Sequence, residues 1–172
     1  MVIMSDKIKD IGQSGFLIHP GIEYFKFEED FVEENIRCIP MAVRIKLDAC
    51  GIKLQLTEWS KFKPGERTQL ATQSCGSNDE IASYRKYLEE LVLKRTGSTV
   101  INLPVDEHPA WAALNSIDAK LQEKAKESGW WISPEQWKCL TNLQRFALLK
   151  LCRQGHESSN FPKAMKEFGL VK

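Results

Sequence analysis

Shifted by 78 residues, the chain matches itself without a gap from Val43–Leu70 onto Leu121–Leu148, and no other feature constrains the fold as strongly. Identical pairs are Lys46/Lys124, Gly51/Gly129, Trp59/Trp137, Arg67/Arg145 and Leu70/Leu148. Similar pairs are Val43/Leu121, Leu54/Ile132, Glu58/Gln136, Phe62/Leu140 and Glu66/Gln144. Trp and Gly are rare, and the similar pairs share one apolar pattern, so the match reads as a duplicated helical unit. Gly51, Trp59, Arg67, Gly129 and Trp137 are its structural anchors.

Each copy has the same grammar. Val43, Leu47 and Cys50 recur at i, i+4 and i+7 after Pro40, which predicts a helix stopped by Gly51. Leu114, Ile117, Leu121 and Ala125 predict its counterpart, stopped by Gly129, because Gly takes the left-handed C-cap without steric cost. Ser133-Pro134-Glu135-Gln136 reads as a capping box opening a short helix with Trp137 and Leu140 inward. Thr141 and Gln144 open a third helix through Phe146, Leu149 and Leu151 to about Arg153, and Lys63-Pro64-Gly65-Glu66 begins its counterpart. A fourth closes each half: Ser77 and Glu80 cap a run with Ile81, Tyr84, Leu88, Leu91 and Arg95 up to Gly97, and Phe161, Met165 and Phe168 form a shorter stripe ending at Gly169.

Ser98–Trp111, punctuated by Pro104 and Pro109, predicts an extended connector. The expected architecture is all-α, about eight helices in two similar halves packed as one domain over residues 22–172. The first half is about 22–97, the connector 98–111 and the second half 112–172. Residues 1–21 lack periodicity and read as a flexible tail.

With 42% hydrophobic and 27% charged residues, the composition is that of a globular protein, and 24 basic against 23 acidic residues leave no whole-molecule field for nucleic acid or an anionic membrane. Charge is local instead. Glu23–Asn35 holds six acids against Lys26, and Lys138–Lys172 holds seven bases against Glu157 and Glu167, two runs able to pair with each other or with a protein partner. The longest apolar runs, such as Ile39–Val43, fall far short of the roughly 20 residues of a membrane span. Asp6, Lys7, Lys9 and Asp10 stand where a signal peptide needs an apolar core, so the expected location is cytoplasmic.

No P-loop, dinucleotide fingerprint, nucleophile elbow or HExxH motif occurs, and the chain does not read as an enzyme. His19, His108 and His156 fall in loop-like stretches. Cys38, Cys50, Cys75, Cys139 and Cys152 form no C-x-x-C pair, which argues against a metal site and for free, packed thiols. Cys38 stands apart, because Arg37 and Arg44 could lower its pKa, although a packed thiol is the favoured reading. Arg67 and Arg145 suit internal links to a carboxylate or helix carbonyls. Of Trp130 and Trp131, between a helix-ending Gly and a capping box, at least one ring should face outward as a contact surface.

Phe25-x-Phe27-Glu28-x-Asp30-Phe31-Val32-Glu33 runs into Ile36-Arg37-Cys38-Ile39-Pro40-Met41-x-Val43-Arg44-x-Lys46-Leu47-Asp48-x-Cys50-Gly51-Ile52-Lys53-Leu54. Together with Leu143-Gln144-Arg145-Phe146-Ala147-Leu148, His156-Glu157-x-x-Asn160-Phe161 and Lys166-Glu167-Phe168-Gly169-Leu170, this resembles the nitrate-reductase-associated protein family, over about residues 24–170. The resemblance implies an accessory role in nitrate assimilation: a chaperone-like protein that binds nitrate reductase and supports its maturation or activity, with molybdenum-cofactor insertion as one such role. Candidate contact residues in the matching motifs are Arg37, Cys38, Arg44 and Lys46 in the first and Arg145, Arg153, His156 and Glu157 in the second. No catalytic residue, metal or resident cofactor is assigned. A carrier of molybdopterin or an iron–sulfur cluster is the alternative, and a helical DNA-binding regulator the weaker one, since nothing resembles a recognition helix.

Overall fold

A computed structural model describes residues 23–28, 38–153 and 155–172. The expected N-terminal tail, Arg37 and most of the acidic run at 23–35 lie outside the described residues.

Among those residues the fold is helical, with eight α-helices and one small antiparallel strand pair. The helices are α1 (Met41–Cys50), α2 (Leu56–Trp59), α3 (Pro64–Thr72), α4 (Asn78–Thr96), α5 (Ala119–Glu127), α6 (Pro134–Cys139), α7 (Asn142–Leu151) and α8 (Phe161–Glu167). The strands are β1 (Ile52–Lys53) and β2 (Ile101–Asn102), with Ile52 opposite Asn102 and Lys53 opposite Ile101. The helix starts recur at the spacing of the sequence match: Met41 and Ala119, Leu56 and Pro134, Pro64 and Asn142.

The local causes recur as well. Gly51 and Gly129 end α1 and α5 at φ 66° and 74°, a region costly for any residue with a Cβ. In each short helix the carboxylate or amide three positions in returns to the N-cap N–H: Glu58 to Gln55 at 2.7 Å, Gln136 to Ser133 at 3.0 Å, Glu66 to Lys63 at 2.8 Å and Gln144 to Thr141 at 2.9 Å. The matched Glu/Gln pairs therefore do the same job in both halves.

Three expectations shift. Leu114 and Ile117 are not part of α5: Asp118 caps that helix by accepting from the N–H groups of Lys120 and Leu121, and Leu114 is left 45% exposed. Pro40 is the residue before α1 rather than its first turn, at φ −56° and ψ 148°. The expected connector contributes β2 at Ile101–Asn102 and ends in a 3-10 turn that begins at Ala110, two elements the sequence reading did not give it.

Two cores form. Val43, Leu47, Trp59, Leu70, Tyr84 and Leu88 fill the first, and Leu121, Ile132, Trp137, Phe146, Leu148 and Phe161 the second. Alternate sides of α1 face each, since Met41 and Ile45 pack on the second core. Phe25 and Phe27 also cross to the second core, where both rings meet Phe168, while the backbone N–H groups of Lys26 and Phe27 donate to Glu167.

Candidate functional site

Four elements bound a groove of about 560 Å³ on one flank of α1: the segment leading into that helix, β1 with its approach to α2, the connector at Leu103, and the end of α7 with the turn at Glu157. Its floor is apolar, with Ile52 and Leu54 buried, and its rim carries Leu56 and Leu103, exposed by 41% and 46%.

One end is polar. Arg44 pairs with Glu157 at 2.7 Å, and the Cys38 thiol donates to the other oxygen of the same carboxylate at 3.2 Å. The two residues of the first motif and Glu157 of the second are more than 110 positions apart in sequence. The turn that begins at His156 (His156–Asn160) delivers Glu157 to this end. Behind it Glu28 is buried, its Oε1 accepting from the Met41 N–H at 2.6 Å. Burial raises the Glu28 carboxyl to about 7, against the lowering effect of that hydrogen bond and of Arg44, and Glu157 adds to the rise. At the other end Lys150 pairs with Asp48 at 2.6 Å, and Lys53 is exposed.

Cys38 differs from the activated thiol that its flanking arginines suggested. Burial, and then the Glu157 charge, push it up to about 12, outweighing Arg44. It is a hydrogen-bond donor here, and the thiolate is disfavoured.

Lys46, Arg145 and Arg153 do not line this groove, while Arg37 and the His156 side chain lie outside the described residues. Lys46 lies on the opposite side of α1, where its ammonium donates to the carbonyls of Ala71 at 2.6 Å, Gln73 at 2.7 Å and Leu70 at 3.5 Å, closing the end of α3. Burial lowers its pKa. Arg145 is only 4% exposed and is bonded to the carbonyls of Trp111, Trp137 and Leu140 and to the Asn142 side chain, so it holds the second half together from within. Arg67 does the same in the first half, donating to the Trp59 and Ser60 carbonyls at 3.2 and 3.1 Å. Each guanidinium also lies over its tryptophan, at 5.7 Å for Arg67 and 5.8 Å for Arg145. Both arginines tie backbone carbonyls together within their own half. Arg153 is exposed just beyond α7. Trp131 is the outward ring of its pair, 59% exposed with the Lys126 ammonium 5.2 Å from its centre.

Sequence reasoning left Glu28 and the Asp48–Lys150 pair unassigned. A signal existed for the first, an acid set directly beside Phe25 and Phe27, but its burial follows only once the aromatic segment docks. Among the described residues no three His, Cys, Asp or Glu side chains come together in a way that could hold a metal ion, and no helix is long and apolar enough to cross a membrane.

Compared with known proteins, the chain matches the family model of the conserved nitrate reductase-associated protein over residues 24–168, which contain the whole groove, the first core and every buried residue of the second except Leu170. No curated protein and no solved structure matches it significantly.

Proposed function

This chain belongs to the conserved nitrate reductase-associated protein family, and from that premise we propose that it is a non-catalytic cytoplasmic accessory protein that binds nitrate reductase and supports its maturation or activity, molybdenum-cofactor insertion being one step it would serve. One observation carries the reading: Cys38 and Arg44 meet Glu157 at one end of an open groove whose rim exposes Leu56 and Leu103. An apolar rim beside a fixed ion pair suits a polypeptide, because the leucines contribute affinity and the pair fixes orientation. The Cys38 thiol, although it donates to the Glu157 carboxylate, is held protonated by burial and by that charge, which disfavours a nucleophilic role.

Co-purification of the tagged chain with nitrate reductase, as apoenzyme and as molybdenum-loaded enzyme at two salt concentrations, tests the reading. Retention of the apo form, weakened at least about tenfold by Leu103→Asp as expected where a charge replaces an exposed apolar contact, supports it. Equal retention of both forms would make the protein a stabilising subunit. Retention of neither, with molybdenum or a chromophore on the protein itself, would replace partner binding by cofactor carriage.

A further inference from the structure

The two halves differ at one place where their local structure is otherwise alike. Residues 51–55 and 129–133 each run from a left-handed glycine, φ 66° at Gly51 and 74° at Gly129, to an extended N-cap, φ −83° and ψ 151° at Gln55 and φ −77° and ψ 156° at Ser133. Between these fixed ends the burial alternates alike. Leu54 and Ile132 point into their cores, while Lys53 and Trp131 point out.

In the first half this stretch is β1, and the connector lies on it. The Leu103 N–H donates to the Gly51 carbonyl at 2.8 Å, and the antiparallel register makes Lys53 and Ile101 the next bonded pair. The contact is close: a Cβ on Gly51 would stand 2.7 Å from the Leu103 carbonyl oxygen and 2.8 Å from a Val105 methyl. In the second half no strand pairs with 129–131 among the described residues, and a Cβ on Gly129 would meet nothing within 4 Å. Beside that open face Trp131 stands 59% exposed.

We infer that Gly129–Trp131 is a strand-acceptor site, which takes an extended segment of a partner protein in the antiparallel register that Ile101–Leu103 adopts on Gly51–Lys53. The groups offered are the Gly129 carbonyl and the backbone N–H and C=O of Trp131, the counterparts of those used in the first half. The connector specifies the partner's chemistry: an extended segment with a branched apolar residue two positions beyond the one bonded to the glycine, as Val105 is beyond Leu103, so that this side chain packs on the glycine while the ring of Trp131 covers the strand's edge. This edge is distinct from the groove of the proposed reductase contact and stands whichever protein occupies that groove.

The probe is a synthetic peptide, Ser98–Glu107 of this chain, titrated into the ¹⁵N-labelled full-length protein with amide shifts as the readout. Saturable shifts centred on residues 129–132 are expected. Methylating the peptide nitrogen that corresponds to Leu103 should weaken binding by roughly three- to tenfold, the equivalent of one main-chain hydrogen bond. Trp131→Pro, which removes the accepting strand's donor at an exposed non-helical position, should abolish saturation, while Trp131→Lys, the residue at the matched position, should keep binding within about tenfold, the loss being that of the ring contact alone. Should Trp131→Pro disturb the fold, the methylated peptide on the unaltered protein still decides. Shifts centred on 51–53, no shifts at millimolar peptide, or binding indifferent to the methyl group would each overturn the site.

Discussion

At the scale of single residues, environment overrides the local sequence. Cys38 has two arginines close in sequence and still holds its proton, because desolvation and the neighbouring Glu157 carboxylate outweigh the guanidinium in space. Glu28 is the reverse of the usual surface acid. Its carboxyl titrates near 7 when folded against an ordinary 4.5, so the folded state holds the extra proton between those values. The resulting stabilisation is fully present below about pH 4.5 and is lost as pH rises through about 7, a decline of roughly 3 kcal/mol from this group. Urea unfolding at pH 5 and pH 8 should show that decline, and Glu28→Gln, which keeps an oxygen for the Met41 N–H without a titrating group, should remove most of it.

Among the elements, the repeated signals are caps and anchors, and these were legible because they are short-range. A Glu or Gln three residues inside a helix, a glycine at its end and a Pro at its first position act within one turn, so spacing alone exposes them. The anchors Arg67 and Arg145 extend the logic to pairs of helices, each joining a short helix to the next through its carbonyls. They are not equivalent, however. Arg145 serves three backbone carbonyls and Asn142, whereas Arg67 serves two carbonyls. Truncation removes these charge-assisted bonds from a buried position, so Arg145→Ala should cost about 3 kcal/mol or more and Arg67→Ala about 2 kcal/mol. Thermal denaturation of both variants checks the order, and a reversal would mean that the bonds to Trp111 and Asn142 contribute nothing.

For the whole molecule, the decisive piece is α1, with Val43 and Leu47 in one core and Met41 and Ile45 against the other. A helix shared in this way couples the halves, so they should unfold in one transition. Two variants, one keeping only Trp59 and the other only Trp137 with the remaining four tryptophans replaced by phenylalanine, report on one core each and should give superimposable curves once normalised; separate midpoints would mean two independent units. The sequence by itself determined the helical class, the starts of α3, α4, α6 and α7, the 78-residue spacing and the tryptophan and arginine anchors, since propensity, capping and apolar periodicity act over a few residues. It did not determine that Phe25 and Phe27 cross to the second core, that Glu28 is buried, that Cys38 and Arg44 meet Glu157, or that the connector supplies a strand to β1 while no strand pairs with Gly129–Trp131 among the described residues. Those outcomes depend on which apolar faces find one another across more than a hundred residues, and burial and charge pairing at such separations exist only after the chain has packed.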